Sequence, residues 1–224
     1  MTIGEAVGQI NTQSTSPLAA YGNGANMKIV DMPPPPPELD NSLYLSEDWQ
    51  PGSVLLEIGS IIENCSLRYD IANGYIEIKG ENTVRAAAEK DVAQFTINTL
   101  PKARWFINAS QFGGQKKTKY NLMEVLVDGE IKLLYSSKVE IIKPNGGFTD
   151  QRRAMGDPIT SRKIEKFYLV QNGNLFDANS KGKLLDAFGE KTNMMKSYAK
   201  AKGLGFSKQE DLIALVQHYS AIAK

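Results

Sequence analysis

The sequence predicts an α+β protein: an antiparallel β-meander, as a curved sheet or partly closed barrel, followed by a helical C-terminal region and preceded by a disordered leader. Three observations carry this. Short runs in which apolar and polar residues alternate recur between Leu43 and Ile142. Asn-Gly and Asp-Gly pairs punctuate them, as tight hairpins require. After Ser180 the apolar spacing lengthens to three and four residues, the period of a helix face.

Residues 1–42 form the leader. They are rich in Gly, Asn, Gln, Ser and Thr and contain the run Pro33 to Pro37. Such a composition cannot bury enough apolar surface to offset the entropy of ordering it. The prolines favour a stiff polyproline II rod, read as a spacer in preference to a ligand for a proline-binding groove.

Residues 43–224 form the folded domain. Its β-meander covers 43–142. Val54 to Ile58 leads through Gly59-Ser60 to Ile61-Ile62, Ser66 to Ile71 reads as the next strand, and Asn73-Gly74 turns it into Tyr75 to Lys79. Further strands are expected at Thr83–Ala87, Val92–Ile97 and Arg104–Asn108. Leu122–Val127 and Ile131–Ile142 flank the Asp128-Gly129 turn. A long loop spans 143–161, with Arg152-Arg153 at its centre, and long loops are functional or disordered. A hairpin over 162–178 turns at Asn172-Gly173.

The helical part covers 179–224. Ser180–Phe188 stops at Gly189 and Thr192–Lys202 at Gly203. Ser207-Lys208-Gln209-Glu210 reads as a capping box for the last helix. That helix carries the stripe Leu212, Leu215, Val216, Tyr219 and Ile222, to be packed on Met194, Met195 and Tyr198 or on the sheet.

Composition excludes more than it identifies. One cysteine, Cys65, and one histidine, His218, rule out an intrachain disulfide, a thiolate zinc site and a two-histidine metal site. No cofactor or metal is expected. No apolar run reaches the 18 or so residues of a membrane helix. The net charge of +1 gives no field for nucleic acid. Residues 1–50 hold one cation against six anions, and residues 151–224 hold thirteen against seven, so the acidic leader and the basic end cancel.

Several residues invite a functional reading. Arg68 lies between Leu67 and Tyr69, so it faces away from the side those two share. There it either pairs with Glu77 or Glu57 or offers an anion site in the mouth of the sheet; the ion pair is preferred. Lys116, Lys117 and Lys119 follow Gly113-Gly114, but the spacing fails that of a phosphate loop, and they read as an exposed hairpin tip able to contact anions. Trp105, Phe106, Phe112 and Tyr120 flank these lysines and read as core before stacking platform. Cys65 reads as packing at a strand start, and His218 as the polar edge of a helix with no carboxylate four residues away. Glu81, Glu89 and Asp91 sit in or beside a hairpin, and no carboxylate pair stands out.

Tyr44-Leu45, Trp49, Gly52, Leu67-Arg68-Tyr69, Glu124 to Gly129, Leu133-Leu134, Phe167-Tyr168-Leu169 and the Leu212–Tyr219 helix occur in an order that resembles an uncharacterised family of small exported proteins from Bacteroidota. The resemblance spans about residues 43–224. It departs at Asp70, where the family pattern has Asn, and at Met1 to Ala20, where no signal peptide is visible. It implies a periplasmic or secreted location; a native start at Met1 would imply the cytoplasm. It supplies no catalytic residues.

The expected function is therefore that of a non-enzymatic, envelope-associated protein that binds a protein partner through the 143–161 loop, with Arg152 and Arg153, and through the basic end. The alternative is a carrier of a small apolar ligand or lipid in a pocket lined by Ile76, Ile78, Phe95 and Ile97. An enzyme ranks third.

Overall fold

The computed structural model describes residues 43–81, 83–113, 122–142 and 160–223. Lys116, Lys117, Lys119, Arg152, Arg153, Tyr120 and the leader lie outside them.

Among the described residues ten strands form one antiparallel sheet. They are β1 (Gln50–Leu56), β2 (Ile61–Asp70), β3 (Tyr75–Lys79), β4 (Val84–Ala88), β5 (Val92–Ile97), β6 (Arg104–Asn108), β7 (Leu122–Val127), β8 (Lys132–Ile142), β9 (Thr160–Gln171) and β10 (Asn174–Asp177). The sheet runs β10-β9-β8-β7-β6-β5-β1-β2-β3-β4. The meander is thus interrupted once: β5 follows β4 in the chain but pairs with β1. Only the 3-10 turn Glu89–Asp91 joins β4 to β5, although β1, β2 and β3 lie between them in the sheet. Five strands can meet that constraint only by curling. The sheet does not close, and β4 and β10 are its edges.

Two strand readings merge. Ile61-Ile62 and Ser66–Asp70 belong to one strand, because a bulge lies between them: Gly52 faces Cys65 whereas Val54 faces Ile62. Asn64 takes φ +51 there. The extra residue shifts the alternation by one, so Ile62 and Cys65, three positions apart, both point inward. A second shift, between Leu55–Gln94 and Leu56–Val92, does the same for Val92 and Phe95. Cys65 consequently sits mid-strand and buried, its thiol donating to the Gly52 carbonyl (3.4 Å), instead of half-buried at a strand start.

The interior of the curled half holds Val54, Ile62, Leu67, Tyr69, Ile76, Ile78 and Phe95, joined by Phe106 and Leu122 from β6 and β7. Phe95 stacks on Phe106 at 4.3 Å, and the Tyr69 ring meets Phe95 edge-on at 5.5 Å. On β7–β9 the face carrying Val127, Leu133 and Leu169 is covered by the helices α1 (Lys181–Ala187), α2 (Thr192–Lys202) and α3 (Gln209–Ile222). Met123, Leu134, Val170 and Leu175 belong to a third cluster, flanked by Trp105 and Phe112.

Helix boundaries follow local chemistry. Ser180 caps α1, its hydroxyl accepting from the Lys183 amide. Gly203 ends α2 in the left-handed conformation, with Leu204 N–H returning to the Ala199 carbonyl. The capping box expected at Ser207 does not form. Lys208 occupies the cap position with no side-chain bond, and the Asp211 carboxylate instead accepts from the Gly205 amide at 2.9 Å. Leu212, Leu215, Val216 and Tyr219 are buried against both Met195 and the sheet, while Met194 faces outward, 56% exposed. No helix among the described residues is long and apolar enough to cross a membrane.

Candidate functional site

Arg68 and Tyr69 are neighbours in β2 and point to opposite faces, so each builds a different polar cluster. On the outer face Arg68 lies directly across from Glu77 of β3. Its Nε and Nη2 both donate to Glu77 Oε2, at 3.1 and 2.8 Å. Its guanidinium lies 3.7 Å from the centroid of the Tyr44 ring and 4.8 Å from that of Trp49. The Tyr44 hydroxyl donates to Glu77 Oε1 at 3.1 Å. Burial, then the negative charge of Glu77, pushes the Tyr44 phenol up to about 12. The charge of Arg68 is compensated by Glu77 and its faces are covered by two rings. This cluster fastens the entering chain at Tyr44 onto the sheet, and it leaves Arg68 poorly placed to hold an external anion.

On the inner face, at the end where β4 turns into β5, the Tyr69 hydroxyl donates to Glu89 Oε1 in a short hydrogen bond. Glu89 is only 6% exposed. Three further contacts hold it. Its amide donates to the Gly74 carbonyl at 3.0 Å, and its own carbonyl accepts from Asn108 Nδ2 at 2.9 Å. The same Asn108 amide donates to the Val92 carbonyl at 2.9 Å, which fixes the whole turn. The third contact is steric. Gly74 has φ +73, and a Cβ there would lie 3.2 Å from Glu89 Cδ, so both the turn and the carboxyl require glycine. Asp70 shapes the facing loop, its carboxylate accepting from the Ala72 and Asn73 amides at 3.0 and 2.9 Å.

Burial raises the Glu89 carboxyl above its ordinary range, against the opposing effects of the Tyr69 hydrogen bond and the Lys138 charge. Burial, then the proximity of Glu89, pushes the Tyr69 phenol well up. Glu89, Lys90, Lys138, Val139, Ile71 and Tyr75 help line an open cleft of about 370 Å³. It joins the β2–β3 loop, the Glu89 turn and β8. A groove of about 360 Å³ between β10 and α1 is edged by the Lys183–Asp177 ion pair, 2.8 Å long.

The other sequence candidates fall elsewhere. His218 stacks on Tyr198 at 3.6 Å between centroids, with no carboxylate partner among the described residues. Phe106 is core, and Trp105 and Phe112 are partly buried. Glu81 is exposed, and Asp91 is exposed with its carbonyl bonded to the Glu57 amide. Among the described residues no three His, Cys, Asp or Glu side chains gather to hold a metal.

The sequence reading missed Lys138 and the distinct role of Glu89. The one local signal was a Glu placed where β4 meets the next strand, a position that faces inward only because the sheet curls. Comparison with protein-family models, curated proteins and solved structures finds no match to this chain.

Proposed function

We propose that the chain is a non-enzymatic interaction protein and that it meets a protein partner through the β8–β9 ribbon. The observation that carries this reading is the ribbon's reach. β7 pairs with β8 only as far as Tyr135. From Ser136↔Lys166 to Ile142↔Thr160, β8 and β9 pair, among the described residues, with each other alone, for seven rungs, a length of roughly 20 Å. The base is anchored by buried Ser136 and Ser137 and by Val139, which packs on the curled core. The outer part exposes Ile141 and Ile142 together with the Arg162–Glu140 pair. An arm with apolar and charged groups at its end suits a protein surface, and it carries residues 143–159, with Arg152 and Arg153, between its two strands. An envelope location rests on the resemblance of the Leu67-Arg68-Tyr69 and Glu124–Gly129 segments to exported proteins of Bacteroidota.

Carriage of an apolar ligand has less support. Ile76, Ile78, Phe95 and Ile97 pack against one another and their neighbours in the curled interior, each at most 3% exposed.

The test is to remove residues 140–162 and close the ribbon with Asn-Gly. The fold should melt as before, because the removed described residues are largely exposed, and partners crosslinked to the intact chain in cells should be lost. The same crosslinked partners on the shortened chain would refute the reading.

A further inference from the structure

We propose that the cleft between the β2–β3 loop, the Glu89 turn and β8 binds a small carboxylate with an apolar body, its charge paired with the Lys138 ammonium and its oxygen accepting the Glu89 acid proton. Nothing in the ribbon reading requires this site, and the two are tested separately.

Burial at the wall of the cleft penalises the charged form of the Glu89 carboxyl. Tyr69 occupies Oε1 as a donor, and among the described residues Oε2 accepts no hydrogen bond. In the acid form Oε2 is therefore the position that carries the proton, on a residue that lines the cleft. The charged and titratable groups around it are few. From β2 come Tyr69, already bonded, and Asp70, whose carboxylate is taken up by the Ala72 and Asn73 amides. Tyr75 of β3 and Lys90 of the turn itself line the cleft, and β8 contributes Lys138. Whenever Glu89 carries its proton, Lys90 and Lys138 are the charged groups lining the cleft, which selects an anion. Ile71, Ala72, Ala88 and Val139 supply an apolar wall for the rest of the molecule. A volume of about 370 Å³ lies at the small end of ligand sites. A cationic ligand would face Lys138 and would need Glu89 charged, so the observations favour the carboxylate.

The test uses the full chain and amide NMR with hexanoate, and hexylammonium as the opposite-charge probe. Hexanoate should shift the amides of Ala72, Asn73, Gly74, Lys90 and Lys138 saturably. Its Kd should rise up to tenfold per pH unit as the pH climbs past the point where Glu89 ionises. Lys138→Gln, at a half-buried position, should weaken hexanoate at least tenfold. Glu89→Gln, which keeps a donor, should bind and lose the pH dependence. Absence of saturable shifts at the lowest pH that leaves hexanoate ionised, equal binding by Lys138→Gln, or tighter hexylammonium binding would each overturn the site. A pH dependence that survives in Glu89→Gln would overturn the role of its proton.

Discussion

Strands β1–β5 wrap their apolar side chains around a common interior, whereas β7–β9 stay open and cover Val127, Leu133 and Leu169 with three helices. The curled half leaves polar groups at its closure, where Tyr69, Glu89 and Asn108 tie the β4–β5 turn to the sheet. The helix-covered half relies less on such groups: its cluster is apolar from Leu184 to Tyr219, and the α1–α2 turn is held by the Thr192 hydroxyl, 2.7 Å from the Leu185 and Gly189 carbonyls. Curling a sheet through a three-residue link forces backbone groups inward, and buried backbone groups need partners. Covering a sheet with helices requires fewer, because helices satisfy their own backbone groups except at their ends, where Ser180 and Thr192 serve here.

The largest effects should come from emptying either interior. Phe95→Ala removes a ring stacked on Phe106, and Leu212→Ala empties a fully buried site beneath α3. Each should cost roughly 2–5 kcal/mol in urea unfolding. Phe106 and Leu122 belong to the curled core yet stand on β6 and β7, so the halves share side chains as well as the β5–β6 ladder. One transition, displaced by both variants, is the expected outcome when Trp49 and Trp105 fluorescence and helical circular dichroism are followed together. Two separate transitions would break the coupling.

The same substitution should act with opposite sign in the two halves. A Cβ on Gly52 would lie 2.1 Å from the Thr96 carbonyl oxygen on β5 and 2.8 Å from Leu67 Cδ2. Gly52→Ala must therefore push β1 and β5 apart, at a cost of about 3 kcal/mol. Gly182 stands in α1 with nothing near its Cβ position, so Gly182→Ala should stabilise by about 0.5–1 kcal/mol. Thermal melts of the two variants check both signs.

Much of this division is visible in the sequence, and the parts that are not have definite causes. Asn73-Gly74 and Asn172-Gly173 announce their turns because positive φ is needed there, and Asn172 and Gly173 take φ +52 and +73. The α3 stripe is readable because its spacing alone defines a buried face. The bulges are not readable: an alternation that slips by one residue, as between Ile62 and Cys65, looks like two strands. The return of β5 to β1 is hidden for another reason. Glu89–Asp91 has the length of a hairpin turn, and only packing decides that β4 and β5 do not pair. Once that link is missed, nothing local brings Glu89 to Tyr69, twenty positions earlier, or to Lys138 on a strand across the core.

The effect that best separates the halves depends on pH. Burial holds the Glu89 carboxyl above its unfolded value. Between those two values the folded chain binds the proton and the unfolded chain does not, so stability falls as pH rises through the window and levels off above the folded value. Glu89→Gln cannot titrate and should lose that slope while the rest of the pH profile persists. Tyr69→Phe removes the donor to Oε1 and should cost roughly 1–2 kcal/mol. That cost should grow with pH, because the tyrosine hydrogen bond favours the ionised carboxylate and its loss raises the carboxyl further. Urea midpoints from pH 4 to 8 for the three chains measure this. A Glu89→Gln profile parallel to that of the unmodified chain would mean that the carboxyl at the closure stays charged, and that the curled half tolerates a buried anion.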